Sequence, residues 1–256
     1  MRTVAVVLAG GIGQRFAASG ARAAGSDAGG LCGQPLPKQL LVLAGSTLLE
    51  RSVAAFDAAP GVHEVLVVMA AGFTELASQV LGAAGYRKLT GIIEGGRARA
   101  DSARRAITAL SGGKAGQGGK GGDCNVLFHD AARPLVDQRI IADCVSALGS
   151  WQAVGVVVPA SDTMVEVTGG AISRALPRAA LARCQTPQGF RLSVISRAHE
   201  LAAADPAFTA ESATDDCGVV LRYLPDVPVR AVSGTERNMK ITYPGDLAVA
   251  ETLLRS

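Results

Sequence analysis

The sequence predicts an α/β fold in which helices cover both faces of a mostly parallel sheet, and two patterns in its 256 residues support this prediction. Short runs rich in β-branched residues recur along the chain, and segments with apolar residues at helical spacing separate them. Strands that are apolar throughout are typical of parallel sheets buried on both faces. Apolar residues make up 48% of the chain, which is enough for one large domain over 1–256.

The predicted elements alternate along the chain. The strands are expected at 4–9, 64–70, 91–96, 125–130, 153–160 and 227–232. The helices are expected at 46–58, 73–84, 98–110, 137–148, 192–203 and 244–254. Strands that alternate with helices in this way favour a layered α/β architecture over a separate sheet and helix bundle.

Three segments depart from the alternation. Residues 17–34 and 111–123 are rich in Gly, Ala and Ser and contain little that can be buried, so both are predicted to be loops. Around 161–185 the pattern is that of a β-hairpin that turns at Gly169 and Gly170 and projects from the domain. A projecting hairpin needs a surface to pack on, and we therefore expect a second subunit.

Composition limits the partners of the chain. The formal net charge is +3 and the basic residues are dispersed, so no basic face for nucleic acid is expected. No apolar stretch approaches the roughly 20 residues that cross a bilayer, and the N-terminus enters a strand pattern directly. The sequence thus predicts a cytoplasmic protein without a nucleic-acid or membrane partner.

The cysteines do not form a recognisable metal motif. There is no C-x-x-C pair and no histidine at the spacing of a structural zinc site, so any metal is expected to be a hard cation held by oxygen atoms. The thiols are expected to be buried and structural, with sensitivity to oxidation as the alternative. They are Cys32, Cys124, Cys144, Cys184 and Cys217.

The first predicted strand ends in two glycines, Gly10 and Gly11, which allow backbone N–H groups to approach a phosphate. The P-loop pattern fails because no Gly-Lys-Ser/Thr follows. The dinucleotide fingerprint fits only in part, since Phe16 replaces its third glycine. In a third interpretation Arg15 and Lys38 flank a phosphate chain and stabilise charge at phosphorus. The alternative is that both are solvated surface residues.

The ends of later strands add polar groups to the same predicted crevice. Two glycines and then Ser102 follow the third strand, and Asp130 ends the fourth. Because the carboxyl ends of parallel strands share one edge of a sheet, these groups are expected to lie together. Asp130 could hold Mg²⁺ that bridges phosphate oxygens, or it could cap the helix that follows.

A series of motifs in fixed order resembles one enzyme family. The motifs are "LAGGIGQR", "PKQ", "GGRARADS", "HDAARP", "DTM", "CQTPQGF", "TDD", "NMKIT" and "PGDL". Together they resemble the 2-C-methyl-D-erythritol 4-phosphate cytidylyltransferase family. Each motif is weakly specific by itself, whereas the whole set in order is highly specific.

The resemblance implies a Rossmann-like nucleotidyltransferase fold with a β-hairpin dimerisation arm at about 161–185. It implies transfer of CMP from CTP to methylerythritol phosphate, with release of pyrophosphate, in the non-mevalonate route to isoprenoid precursors. It further implies Mg²⁺ or another divalent cation as cofactor and a homodimer formed through the arm. A ribitol 5-phosphate or ribulose 5-phosphate cytidylyltransferase, which shares most of the motifs, remains the alternative.

The resemblance also implies roles for individual residues. The transition state would be stabilised by Arg15 and Lys38, and the sugar phosphate would be positioned by Arg178 and Lys240. Thr163, Thr186 and Thr214 would lie near the sugar phosphate, with Thr163 and Arg178 serving the neighbouring subunit. Asp130 would meet Mg²⁺. The cytidine nucleotide would be held by Ala9, Gly10, Gly11, Gly96, Ser102 and Ala131.

Overall fold

A computed structural model of the protein describes residues 1–11, 36–112, 122–209 and 213–255. The predicted loop at 17–34 lies outside this part of the chain, as does most of the one at 111–123. Within it, a seven-stranded sheet is flanked by helices, so the α/β class is confirmed. The strands, labelled β1 to β11, are Thr3–Ala9, Val42–Leu43, Ser46–Thr47, Glu64–Met69, Leu89–Glu94, Asn125–Asp130, Ala153–Pro159, Val165–Thr168, Ala171–Ala175, Ala182–Arg191 and Val229–Ser233.

The helices of the described residues fall where the apolar spacing predicts, with one addition. They are labelled α1 to α7 and span Leu48–Ala58, Thr74–Gly82, Arg99–Ser111, Gln138–Ala147, Leu192–Ala204, Asp216–Tyr223 and Gly245–Arg255. Helix α6 is the addition. Its N-cap is Asp215, whose side chain accepts a hydrogen bond from the backbone N–H of Gly218 at 2.8 Å.

The large sheet has the strand order β11-β7-β10-β6-β1-β4-β5. Strands β6, β1, β4 and β5 pair in parallel, as do β7 and β11. Strand β10 pairs antiparallel with both of its neighbours, β6 and β7. The sheet is therefore mostly parallel, as predicted, but an unpredicted antiparallel strand, third in this order, separates its two parallel parts.

Each face of the sheet has its own apolar core, and β1 shows why. Ala5, Val7 and Ala9 point to one face, where α1, α2 and α4 pack, and the residues between them point to the other. Helices α3, α5 and α6 cover that second face. Because side chains alternate along a strand, a strand covered on both faces must be apolar throughout.

Strands β8 and β9 form a separate antiparallel pair that turns at Gly169 and Gly170, both with positive φ. Its residues are exposed, and Val167 and Ile172 are 62% and 71% accessible. Residues 182–185 belong to β10 of the main sheet, so the hairpin is shorter than the predicted 161–185. Its role in dimerisation stays a prediction.

None of the helices formed by the described residues combines the length and hydropathy of a bilayer crossing.

Candidate active site

The ends of β1 and β5 approach each other so closely that side chains are excluded. A Cβ atom on Gly10 would lie 2.6 Å from Ser102 Oγ, and one on Gly95 would lie 3.3 Å from Gly10 Cα. The buried Ser102 hydroxyl accepts a hydrogen bond from the backbone N–H of Gly96 at 3.1 Å. These residues give the crevice a floor of backbone atoms, as a phosphate-binding loop requires.

The short 3-10 turn Lys38–Leu40 is hydrogen-bonded to this floor. Gln39 is 3% exposed, and its Nε2 donates to Gly11 O at 2.8 Å. Lys38 Nζ donates to Ile241 O at 2.8 Å, and Ile241 N donates to Ala132 O at 2.7 Å. The predicted residue Lys38 is thereby brought to the segment that carries Lys240. Arg15, its predicted partner, lies outside the described residues.

Asp130, at the carboxyl end of β6, lies between two cations. Its Oδ2 is 2.7 Å from Lys240 Nζ and its Oδ1 is 3.2 Å from Arg99 Nε. Burial by itself would raise the pKa of Asp130, but the charges of Arg99 and Lys240 outweigh it and hold that pKa well below its usual range. The carboxylate is therefore ionised at neutral pH.

The alternative assignment of Asp130 as a helix N-cap is wrong. The next helix, α4, begins at Gln138, and Asp137 caps it by accepting a hydrogen bond from Ile140 N at 2.7 Å. The side chain of Asp130 instead lies in the crevice, where its two oxygens contact Arg99 and Lys240.

Arg99 was missed by the sequence reasoning, although it joins two carboxylates. Besides Asp130, its guanidinium contacts Asp216, with 2.7 Å between Nη1 and Oδ2. Burial opposes the charge of Arg99, but Asp216 and Asp130 raise its pKa above the ordinary value. Burial would likewise raise the pKa of Asp216, but the positive charge of Arg99 lowers it. The signal available in the sequence was an arginine three residues before Ser102, in the first turn of the helix that follows the third predicted strand, now β5.

Thr186, on β10, is hydrogen-bonded to the backbone of Asp130. Its hydroxyl oxygen accepts a hydrogen bond from Asp130 N at 3.1 Å and lies 3.1 Å from His129 Nδ1. His129 Nε2 is 3.0 Å from the carbonyl oxygen of Arg133, so Nε2 carries the proton and Nδ1 accepts one from Thr186. The buried hydroxyl of Thr186 is thus used within the protein, and its predicted contact with substrate stays a prediction.

A further set of hydrogen bonds holds the Lys240 segment against β10. Asn238 is fully buried, and its Nδ2 donates to Gln185 Oε1 at 3.1 Å and to Thr186 O at 2.8 Å. Arg133 Nη1 donates to Asn238 O at 2.9 Å. The position of Lys240 therefore depends on β10 and on the loop after β6.

The structure brings together many of the predicted site residues. Ala9 ends β1, Gly10 and Gly11 follow it, and Gly96 and Ala131 follow β5 and β6. Thr163 and Arg178 lie near the hairpin and are exposed, and Arg178 Nη1 donates to Ser161 O at 3.2 Å. Thr214 is exposed immediately before the α6 cap.

Comparisons with known proteins agree on one family. A family model described as 2-C-methyl-D-erythritol 4-phosphate cytidylyltransferase matches residues 3–256. A protein of that name from Thermobifida fusca is 50% identical over 100% of this chain and 94% of its own length. The solved structure of such an enzyme from Thermus thermophilus has a TM-score of 0.67 at 32% identity, covering 86% of this chain and 95% of that one. A bifunctional ribulose 5-phosphate reductase/CDP-ribitol pyrophosphorylase of Haemophilus influenzae is 32% identical over 100% of this chain and 48% of its own length.

His129 should make stability depend on pH. Its ring is fully buried, and burial lowers its pKa from 6.5 to about 4. Because the pKa of His129 is lower in the folded chain than in the unfolded one, the stability that its neutral ring contributes is fully present above pH ~6.5 and is lost as the pH falls toward 4. We expect protonation of this histidine in the unfolded chain to lower the free energy of unfolding by about 2 kcal/mol between pH 7 and pH 5. Urea unfolding at the two pH values measures this loss.

His129→Gln should flatten that dependence. His63→Gln, which replaces an exposed histidine, is the control and should leave the dependence in place. Equal pH dependence in the His129→Gln variant and the unmodified chain would contradict the assignment.

Proposed function

The chain belongs to the 2-C-methyl-D-erythritol 4-phosphate cytidylyltransferase family, and we propose that the crevice around Asp130 is where its reaction takes place. The chain is a cytidylyltransferase that transfers CMP from CTP to 2-C-methyl-D-erythritol 4-phosphate. The products are 4-diphosphocytidyl-2-C-methyl-D-erythritol and pyrophosphate. The observation that supports the crevice most strongly is the meeting of Lys38, Asp130 and Lys240 through direct contacts and one shared backbone segment.

The backbone floor of the crevice is proposed as the nucleotide site. Close packing of Gly10 against Gly95 and Ser102 leaves peptide N–H groups free of Cβ interference, which suits a phosphate chain. The residues proposed to hold the cytidine nucleotide are Ala9, Gly10, Gly11, Gly96, Ser102 and Ala131.

Asp130 fits a magnesium ion by the chemistry of its side chain. It is an ionised, hard oxygen ligand, and Mg²⁺ in phosphate chemistry usually takes one or two protein carboxylates together with phosphate oxygens. When bound, Mg²⁺ would neutralise phosphate charge. The contacts of Asp130 with Arg99 and Lys240 keep this carboxylate in one orientation.

The chain's own cations serve the two phosphorylated substrates. The acceptor phosphate is already a nucleophile at neutral pH, so no general base is needed to activate it. Its oxygen attacks the α-phosphorus of CTP, a new phosphoanhydride bond forms, and pyrophosphate leaves with the electron pair of the broken bond. Lys38 and Arg15 are proposed to offset the charge at phosphorus, and Lys240 to hold the acceptor phosphate.

The acceptor side is completed from β10 and from the hairpin. Thr186 and Thr214 are proposed to lie near the sugar phosphate. Thr163 and Arg178, which lie at the exposed hairpin, are proposed to reach the crevice of a second subunit. The cytoplasm is proposed as the site of action.

The identity of the acceptor is tested by comparing the candidate acceptors one at a time. The relative that combines ribulose 5-phosphate reductase and CDP-ribitol pyrophosphorylase activities, at 32% identity, makes pentose and pentitol phosphates the necessary alternatives. We expect kcat/KM for methylerythritol phosphate to exceed that for ribitol or ribulose 5-phosphate by at least about tenfold. Pyrophosphate release with CTP and Mg²⁺ measures each rate. A higher value for ribitol 5-phosphate would assign the chain to the other acceptor.

Lys38→Ala should reduce turnover by roughly a hundredfold or more, as for removal of one group that stabilises transition-state charge. Lys88→Ala is a matched control, because Lys88 Nζ also donates to a backbone carbonyl, Ala59 O at 2.6 Å, but it lies beyond the opposite end of β5. Pyrophosphate release at saturating CTP measures both. The proposed role of Lys38 is wrong if the two variants lose turnover to the same extent.

The hairpin is proposed as the dimer contact because its apolar residues are exposed. Ile172→Glu should convert a dimer into a monomer, since it places a charge at a residue that is 71% accessible in the single chain. Leu221→Glu, at an exposed apolar residue of α6, should leave the dimer intact. Sedimentation velocity at micromolar concentration distinguishes the species. An unmodified chain that sediments as a monomer contradicts the proposal.

A further inference from the structure

Two thiols and one carboxylate meet between β10 and α6. Cys184 lies on β10, Asp215 caps α6, and Cys217 lies in the first turn of that helix. One potential ligand atom from each lies within 4.8 Å of the other two. The expectation of buried thiols is wrong for Cys184, which is exposed, whereas Cys217 is buried. The group is therefore open on one side and closed on the other.

A buried amide orients two of the three ligand atoms. Gln188 is 1% exposed, and its Oε1 accepts from Asp216 N at 2.9 Å and Cys217 N at 3.2 Å. These two donors fix which end of the amide is the oxygen. Its Nε2 therefore donates, to Asp215 Oδ2 at 2.8 Å and to Cys184 Sγ at 3.1 Å. Outer hydrogen bonds of this kind orient the ligands in metal sites.

The two sulfur atoms differ in acidity. A hydrogen bond from Cys217 lowers the pKa of Cys184, although burial and the charge of Asp215 oppose this effect. The same hydrogen bond, together with burial, raises the pKa of Cys217. Cys184 Sγ accepts a hydrogen bond from Gln188 Nε2 and donates one to Gln185 O at 3.8 Å, and it is the exposed sulfur, where an ion would enter.

We propose that Cys184, Cys217 and Asp215 form a site for a thiophilic divalent metal ion of the Zn²⁺ class, separate from the Asp130 site. Zn²⁺ binds sulfur at about 2.3 Å and carboxylate oxygen at about 2.0–2.2 Å, so tetrahedral ligands stand roughly 3.5–3.8 Å apart. The ligand atoms of the present group lie within 4.8 Å of one another, so each pair needs to approach by at most about 1.3 Å. Water completes the fourth position, and each thiol releases its proton on binding.

The donor set separates the two sites chemically. Mg²⁺ prefers oxygen ligands and is expected at Asp130, whereas thiolates select softer ions. Excess Mg²⁺ should therefore not displace Zn²⁺ or Co²⁺ from Cys184 and Cys217. A pair of thiols can also be oxidised to a disulfide, and the use of reduced protein distinguishes metal binding from that outcome.

Titration of the full chain with Co²⁺, under a phosphine reductant and excess Mg²⁺, tests the site. We expect one equivalent to produce the thiolate-to-cobalt charge-transfer absorption, and Zn²⁺ to abolish it by displacement. Cys184→Ser and Cys217→Ser should each remove most of that absorption. Cys144→Ser, which alters a buried thiol of α4, and Asp130→Asn are controls and should retain it.

A second measurement on the unmodified chain guards against variants that fail to fold. Zn²⁺ should slow alkylation of Cys184, located by peptide mapping, and Mg²⁺ should not. The proposal is overturned if reduced protein takes up no Co²⁺ through sulfur, if both serine variants retain the absorption, or if Zn²⁺ leaves Cys184 equally reactive. A pair that only forms a disulfide on exposure to air, with no metal uptake when reduced, also overturns it.

Discussion

The buried charge of Asp130 is the constraint on which the rest of the crevice depends. A buried carboxylate is tolerated only when it is paired, and removing one partner of such a pair typically costs about 3–5 kcal/mol. Asp130 obtains its partners from two distant parts of the chain, Arg99 in the first turn of α3 and Lys240 after β11. Arg99 in turn requires Asp216 of α6. The crevice therefore forms only when all of these elements have assembled.

The same group sets the electrostatic conditions for two anionic substrates. Arg99 and Lys240 are paired with the carboxylates of Asp130 and Asp216, so little of their positive charge is left unbalanced. Two phosphorylated substrates carry more negative charge than Lys38, Arg133 and the unbalanced part of Arg99 and Lys240 can offset. That shortfall gives a physical reason for the divalent ion and for Arg15 in the proposed reaction.

The sequence was sufficient for the parallel half of the sheet and insufficient for β10. Strand β1 is apolar on both faces and is buried on both, so its pattern indicates its position directly. Strand β10, Ala182–Arg191, contains polar side chains and a proline, and its place inside the sheet depends on pairing with β6 and β7. The rule that the carboxyl ends of parallel strands share one edge was enough to predict that Asp130 and the glycines lie together. It could not reveal Arg99, because that residue matters only through its ion pairs with two carboxylates distant in sequence.

Strand β10 explains how one short segment can serve several neighbours. Its pairing with β7 shifts register between Gln185 and Gln188, and such irregularities redirect side chains beside functional sites. Thr186 holds the backbone of Asp130, Gln185 holds Asn238, and Gln188 holds the start of α6 and the sulfur of Cys184. The polar residues that break the apolar pattern of β10 are the same ones that connect the crevice to Cys184 and Cys217. An ion bound at Cys184 and Cys217 would therefore tie α6, which supplies Asp216 to Arg99, more firmly to the strand that positions Asp130.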